Sequence, residues 1–411
     1  MNENITFHQN HDSEMGQYQY TNILRAMILW PMKFRRNKHL WVFGCWDGKR
    51  YDDNAKSFFE YIAANHLNIT PVWISRRNDI VDDLKEKGYR AVLAGTEEAK
   101  RILTHAGVVF FTNSLYDIDT LNYISGAVVV NLCHGSGGAK DVKLIPNRFK
   151  RFTPQYYLKE ALTYVNHHVW GWFYFNYIVT PSLFCSKIKK DVFSLKNTDG
   201  VIPVGFPRND IFFNGVDYRQ KLGFDQTYKY ILYMPTYRNY ENSVIQDFVD
   251  NVLSNTKLME ALRVHKYKIL IKPHNSEKSV TCCENEVLAV LKPNQISDTQ
   301  ELIAMADILI TDYSSAITDF ALKGNTSIFY APDIKEYIDK SGLTKYWKSL
   351  LEIYGITDIN YLAEKICEIV KSGEPEPALT EAINRNYQGE PLAPGDSYCS
   401  RLYDYLQEEL F

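Results

Sequence analysis

Two histidines and a pair of serines stand where apolar runs end. His134 closes "VVVNLCH", His274 closes "ILIKPH", and Ser314 and Ser315 follow "DILITDY". Imidazole moves protons near neutral pH. Short hydroxyls at a helix start can donate to a phosphate, where free backbone N–H groups and the helix dipole also favour an anion. Ordinary helix capping accounts for such serines as well. Cations stand at similar places: Arg238, beside Thr236, in "YMPTYR", Lys272 in "ILIKPH" and Arg208 in "VGFPRND". An arginine fork can hold a phosphate through two bonds. Asp319, one turn beyond the serines, can accept from a ligand hydroxyl or cap something internal. In "HGSGGAK", Gly135 lets backbone approach a ligand closely and Lys140 supplies charge. The loop does not match the spacing of a P-loop. The set suits transfer of a phosphorus-containing group between two substrates. It lacks the clustered carboxylates of a magnesium site, so the sequence requires no metal and no cofactor. Charge on a diphosphate would be met by side chains and a helix terminus.

The elements that position these residues alternate. "LWVFGC", "ITPVWIS", "YRAVLAG", "GVVFFTN" and "GAVVVNLCHG" read as strands with helical stretches between most of them. After an interruption at residues 155–178 the pattern resumes with "YIVTPS", a helix near 183–194 and "GVIPVGFPRND". A second series follows: "YKYILYMPTYR", a helix near 243–263, "YKILIKPH", "VLAVLKP", "DTQELIAMA", "DILITDYSS", "AITDFALKG" and "TSIFYAP". Nearly all-apolar strands alternating with helices mark parallel sheets covered on both faces. Ligands of such sheets bind outside the carboxyl ends of strands, where every residue named above falls. The expected divisions are an N-terminal segment 1–39, a Rossmann-like domain 40–205 with an aromatic insert 155–178, a second Rossmann-like domain 206–395, and a helix 396–411 that packs back.

The chain has 411 residues, which suggests two domains at about 100–200 residues each. Its 45% apolar and 23% charged content is ordinary for a globular protein, and its net charge of −3 gives no chain-wide basic surface for nucleic acid. Seven cysteines form no CxxC pair, so neither a disulfide framework nor a structural zinc site is expected, and a reducing cytoplasm fits. Residues 1–19 carry no signal-peptide pattern, and no apolar run approaches the roughly 20 residues that span a bilayer. Residues 18–41, "YQYTNILRAMILWPMKFRRNKHLW", are aromatic, cationic and free of acids. They suit either an anionic membrane surface or a helix packed on the protein. Residues 155–178 are open to the same two readings.

"HG" after an apolar strand, "VGFPRND", "YMPTYR", "KPH" and "ADILITDYSSAITDFALKG", in this order, resemble the CDP-glycerol glycerophosphotransferases, the enzymes of teichoic acid and related capsule synthesis. The resemblance covers about residues 40–410, including "WDGKRYDDN" and "GDSYCSRLYDYL". It implies a GT-B-like α/β fold, with two Rossmann-type parallel-sheet domains facing a cleft. It also implies a CDP-glycerol or CDP-ribitol donor, a lipid-linked or glycan acceptor, and peripheral attachment to the inner leaflet of a bacterial cell membrane. The acceptor hydroxyl attacks the polyol-bearing phosphorus and CMP leaves. The family's two essential histidines map onto His134 and His274; one is the base and the other contacts the diphosphate. Placing the acceptor on the N-terminal domain favours His134 as base. The donor would then meet Thr236, Arg238, Lys272, His274, Ser314, Ser315, Asp319 and Arg208, the last beside the linker, and Gly135 and Lys140 would lie on the acceptor side. The family loop resembles HGTPLK, whereas this chain has "HGSGGAK", with its lysine one position later and no proline.

Two other readings remain at this point. A glycosyltransferase of the same fold would use a nucleotide sugar for a cell-surface glycan. A membrane-surface binding protein with a dead site would bind lipid and turn over nothing; the two retained histidines argue against it.

Overall fold

The computed structural model describes residues 3–5, 35–66, 68–118, 123–124, 126–136, 153–154, 157, 175–193, 200–238, 244–274, 280–282, 284–292, 295–296 and 298–410. Lys140 and most of the two aromatic segments, 18–34 of the first and 158–174 of the second, lie outside them. Residues 37–41 of the first segment are not a helix but belong to a strand whose Trp41 is buried, and 177–178 of the second belong to another strand. The described residues form two compact units: 35–136, 153–210 and 389–410 make the N-terminal unit, and 211–388, with a strand at 3–5, make the C-terminal one.

The strands are β1 Glu3–Ile5, β2 Asn37–Phe43, β3 Thr70–Ser75, β4 Ala91–Leu93, β5 Ala106–Phe111, β6 Val128–Asn131, β7 Tyr177–Val179 and β8 Val201–Ile202. They continue with β9 Lys229–Met234, β10 Tyr267–Ile271, β11 Val280–Cys282, β12 Leu288–Val290, β13 Ile308–Thr311, β14 Thr326–Tyr330 and β15 Gly355–Ile356. Among the described residues, the N-terminal unit carries a parallel sheet in the order β4-β3-β2-β5-β6-β7-β8. The C-terminal unit carries one in the order β12-β10-β9-β13-β14-β15. A separate ladder pairs β1 with β11 antiparallel. Both orders step outward from a first strand, return, and continue on its other side, which is the doubly wound pattern. The connections therefore reverse between β2 and β5 in one unit, and between β9 and β13 in the other.

The apolar runs become strands because both faces are covered. All six residues of β5 and all five of β14 are buried. In the N-terminal unit Trp41, Phe43, Phe58 and Phe110 form the centre of the core, with Phe43 and Phe110 stacked at 4.5 Å. In the C-terminal unit Ile231, Tyr233, Phe248, Ile310 and Ile366 do so. Each such side chain contributes about 1.5–3 kcal/mol on burial, which outweighs local preferences at strand ends. The closing helix Tyr398–Leu410 packs on the helix Asp53–Asn65, both in the N-terminal unit.

Two local expectations change. The single helix near 243–263 is two, Val244–Ser254 and Thr256–Val264. Asn255 parts them by accepting from Leu258 N at 3.0 Å, an N-cap inside an otherwise helical pattern. The helix after the serine pair is only Ala316–Phe320, followed by a 3₁₀ turn, Ala321–Lys323. Ser315 already has helical backbone angles and makes no capping bond, while Ser314 Oγ accepts from Ala316 N at 3.2 Å.

Candidate active site

In the N-terminal unit the reversal point lies between the ends of β2 and β5. The loop leaving β2 turns sharply through Trp46 and Asp47, with φ of 44° and 57°. Asp53 (φ 62°) and Cys133 (φ 61°) are left-handed in the neighbouring loops. Of the left-handed non-glycine residues described, only Lys266 lies elsewhere. Each costs on the order of 1–3 kcal/mol and persists where its surroundings over-determine it, as functional sites do. Asp117 is one such determinant. Its Oδ1 accepts from Asp47 N at 2.8 Å, and its Oδ2 from Thr112 N and Asn113 N, both at 2.8 Å. One buried carboxylate thereby ties the loop after β2 to the loop after β5. Gly44 is required beside it, because a Cβ there would stand 2.1 Å from the carbonyl oxygen of Asp117.

His134 follows β6, the next strand. Its Nδ1 lies 3.4 Å from the carbonyl of Thr112, and its ring is 5.2 Å from that of Trp46. Protein atoms crowd the imidazole, although the residue keeps an exposed surface. This crowding, then Lys189, holds its pKa below the usual histidine value against the opposing pull of Asp53. The ring is thus neutral at physiological pH and able to accept a proton. Gly135 and Ser136, next in the loop, are buried.

Arg208 belongs to this cluster. Its Nη1 donates to Asp53 Oδ1 at 2.6 Å and to the carbonyl of His134 at 2.8 Å. The residue was expected with the donor set; the structure places it in the N-terminal unit, behind His134.

In the C-terminal unit, Pro235 to Arg238 leave β9 and Asp312 to Ser315 leave β13, on the two sides of the reversal. The Arg238 guanidinium closes on carboxylates. Nε and Nη2 donate to the two oxygens of Asp333 at 2.8 and 2.9 Å, and Nη1 donates to Asp312 Oδ2 at 2.6 Å and to the Thr236 carbonyl. Its face lies over the rings of Tyr313 and Tyr337, at 5.0 and 5.4 Å. Burial alone would lower its pKa; Asp312 and Asp333 outweigh that and raise it. The fork the sequence offered to a phosphate is therefore filled by Asp333, whose planar oxygens have the same bidentate match.

Around this centre Thr236 N donates to Asp312 Oδ1 at 2.9 Å, and among the described residues Thr236 Oγ1 is buried with no hydrogen-bond partner. Lys272 and His274 leave β10, the neighbour of β9, and Lys272 N donates to the Tyr233 carbonyl at 2.9 Å. His274 is exposed, its ring 5.3 Å from Tyr237. Thr236, Arg238, His274 and the loop bearing Ser314 and Ser315 thus gather at one end of the sheet. Ser314 and Ser315 are half-buried, and Asp319 is buried. Sequence reasoning did not single out Asp47, Asp53, Asn54, Asp117, Asp312 or Asp333. Asp47, Asp117, Asp312 and Asp333 stand in turns that follow strands, while Asp53 and Asn54 open the helix Asp53–Asn65; that placement after a strand was the available signal.

The sequence model of a family described as CDP-glycerol:poly(glycerophosphate) glycerophosphotransferase matches residues 26–388. A teichoic acid poly(glycerol phosphate) polymerase of Bacillus spizizenii is 24% identical over 335 residues, covering 78% of this chain and 79% of its own. One of Staphylococcus epidermidis is 24% identical over 336 residues, 76% of this chain and 42% of its own, so the chain spans less than half of that relative. Among solved structures, the wall teichoic acid polymerase TagF superposes with a TM-score of 0.69 at 19% identity, covering 97% of this chain and 98% of that one. That likeness carries the fold: two parallel-sheet α/β units of the GT-B type.

Proposed function

The chain belongs to the CDP-glycerol:poly(glycerophosphate) glycerophosphotransferase family, and we propose that it transfers glycerol phosphate from CDP-glycerol to a hydroxyl of a teichoic-acid-type acceptor, with CMP leaving. Polyol-phosphate transfer is its reaction class, and the nucleotide-sugar alternative is set aside. The acceptor oxygen bonds to the glycerol-bearing phosphorus. The phosphoanhydride bond to CMP breaks, and its electron pair leaves with CMP. The hydroxyl proton passes to His134. A proton on Nδ1, directed at the Thr112 carbonyl 3.4 Å away, leaves Nε2 as the accepting nitrogen. The observation that carries this reading is an imidazole at a strand end, its Nδ1 facing the Thr112 carbonyl, ringed by strained backbone beside the reversal of the sheet.

Donor contacts are assigned to the end of the C-terminal sheet: Thr236, Lys272, His274, Ser314, Ser315 and Asp319. Because Arg238 already faces two carboxylates, charge on the diphosphate falls, within this set, to Lys272 and to His274 when protonated. Gly135 and Lys140 are assigned to the acceptor, and no metal is invoked. No helix among the described residues is long and apolar enough to cross a membrane. The cationic, acid-free residues that precede β2 support attachment to an anionic inner-leaflet surface, where a lipid-linked acceptor would be met.

Incubating the protein with CDP-glycerol, CDP-ribitol and a panel of nucleotide sugars, with a polyol-phosphate primer, tests the proposal. CMP release from CDP-glycerol is expected. Turnover with a nucleotide sugar alone would refute it.

A further inference from the structure

The segment bearing His134 is held at its backbone by side chains from two other segments. Asn54, fully buried, donates through Nδ2 to the carbonyls of Leu132 at 3.0 Å and Cys133 at 2.7 Å. Its Oδ1 accepts from Arg208 N at 3.1 Å. Arg208 Nη1 then reaches both Asp53, at 2.6 Å, and the carbonyl of His134, at 2.8 Å. The other oxygen of Asp53 accepts from Trp46 Nε1 at 3.2 Å, and the Trp46 ring packs against the imidazole at 5.2 Å. The Asp53–Arg208 pair therefore meets His134 twice, at its carbonyl through Arg208 and at its ring through Trp46. Both side chains of the pair are only 8% exposed.

We infer that Asp53 and Arg208 are positioning residues for His134: their buried ion pair fixes the backbone and the ring of the histidine, and balances the charge that faces it. Arg208 acts through His134 and makes no contact with the donor. The inference rests on the reading of His134 as the base. It gives a function to Asp53 of "WDGKRYDDN".

A pair that merely stabilises the fold would be equally buried, so the test needs a readout that stability does not move. Among the described residues, the groups facing the imidazole are Asp53, Arg208, the Lys189 ammonium from the helix Leu183–Phe193, the Thr112 carbonyl and the Trp46 ring. Asp53 favours the imidazolium, whereas Arg208 and Lys189 oppose it. Removing the carboxylate charge and removing the guanidinium charge must then shift His134 in opposite directions.

The experiment compares D53N, R208Q and R208K with the unaltered protein. It records the His134 titration by NMR of histidine labelled at Cε1, kcat and KM for CDP-glycerol, and thermal unfolding. In D53N the titration is expected to move to lower pH and in R208Q to higher pH. Misplacing a reacting group by about 1 Å costs on the order of 10²-fold, so kcat is expected to fall about 10–100-fold in both while KM for CDP-glycerol stays within about 2-fold. R208K keeps the charge and tests the fork if R208Q does not fold; it is expected to restore the titration but only part of kcat. An unmoved His134 titration in D53N and R208Q, with kcat falling only as far as thermal stability does, would overturn the inference. So would a roughly 10-fold rise in KM for CDP-glycerol with kcat kept in R208K, which would put Arg208 on the donor. The base reading fails separately, by full turnover in His134→Ala, and the NMR titrations still report on the pair.

Discussion

Arg238 and Asp333 meet fork to fork, with Nε and Nη2 each donating to one carboxylate oxygen at 2.8 and 2.9 Å. Asp312 takes Nη1 at 2.6 Å from the other side. Arg238 and Asp312 side chains are 5% and 0% exposed. Removing one partner of such a buried cluster strands a charge, which costs about 3–5 kcal/mol. Arg238→Ala should therefore destabilise the C-terminal unit by that amount in denaturant unfolding, and Asp333→Asn by less, since the amide still accepts one bond. An unchanged midpoint with a raised KM for CDP-glycerol would instead show that the fork opens to the donor.

The pH dependence of turnover follows from His134. Crowding and Lys189 hold its pKa below the ordinary value near 6.5. A base must be neutral, so kcat should be flat through pH 7 and fall only as pH drops below the ordinary histidine value. The stability sign agrees. The folded state disfavours the imidazolium, so this group's contribution is present above the unfolded pKa and is lost as pH falls toward the folded one. A kcat–pH profile whose acid limb has its midpoint above about 6.5 would contradict the assignment.

Replacing either His134 or His274 by Ala should lower kcat by at least about 10²-fold, for His134 as the span of a lost proton-transfer group and for His274 as the loss of charge stabilisation at the diphosphate. The two losses should differ in kind. His274 stands exposed beside Tyr237 at the sheet end where we place the donor, so its variant should also raise KM for CDP-glycerol. Initial-rate measurement of CMP release checks both, and full activity in either variant removes that histidine from the chemistry.

The parallel sheets and the ends of their strands were legible because period and polarity are local properties. β5 is apolar at every position and both β5 and β14 are buried throughout, and His134, His274 and Arg238 announce themselves as polar residues at the close of such runs. Partnership was not legible. Arg208 looks like a linker cation until Asp53, 155 residues earlier, is beside it, and Asp333 lies 95 residues beyond Arg238. No spacing encodes pairs brought together by sheet order. The serine pair fell between these cases. Its place after β13 was readable, but not that the α-helix stops at Phe320 and gives way to a 3₁₀ turn, which Gly324 closes with a left-handed φ of 73°.

Gly44 gives the most local test of the N-terminal reversal point. A Cβ there would stand 2.1 Å from the carbonyl oxygen and 2.6 Å from the carbonyl carbon of Asp117, both backbone atoms that cannot swing aside. Asp117 in turn holds Asp47 N, Thr112 N and Asn113 N. Gly44→Ala must push the loop after β2 away from the loop after β5. Overpacking of this kind costs about 1–3 kcal/mol. The displaced loop carries Trp46, so the shift should reach the His134 ring and lower kcat more than stability alone explains. Thermal unfolding and kcat measured well below the melting temperature separate the two effects. A variant that loses stability yet keeps full kcat would show that the Trp46 loop does not set the histidine.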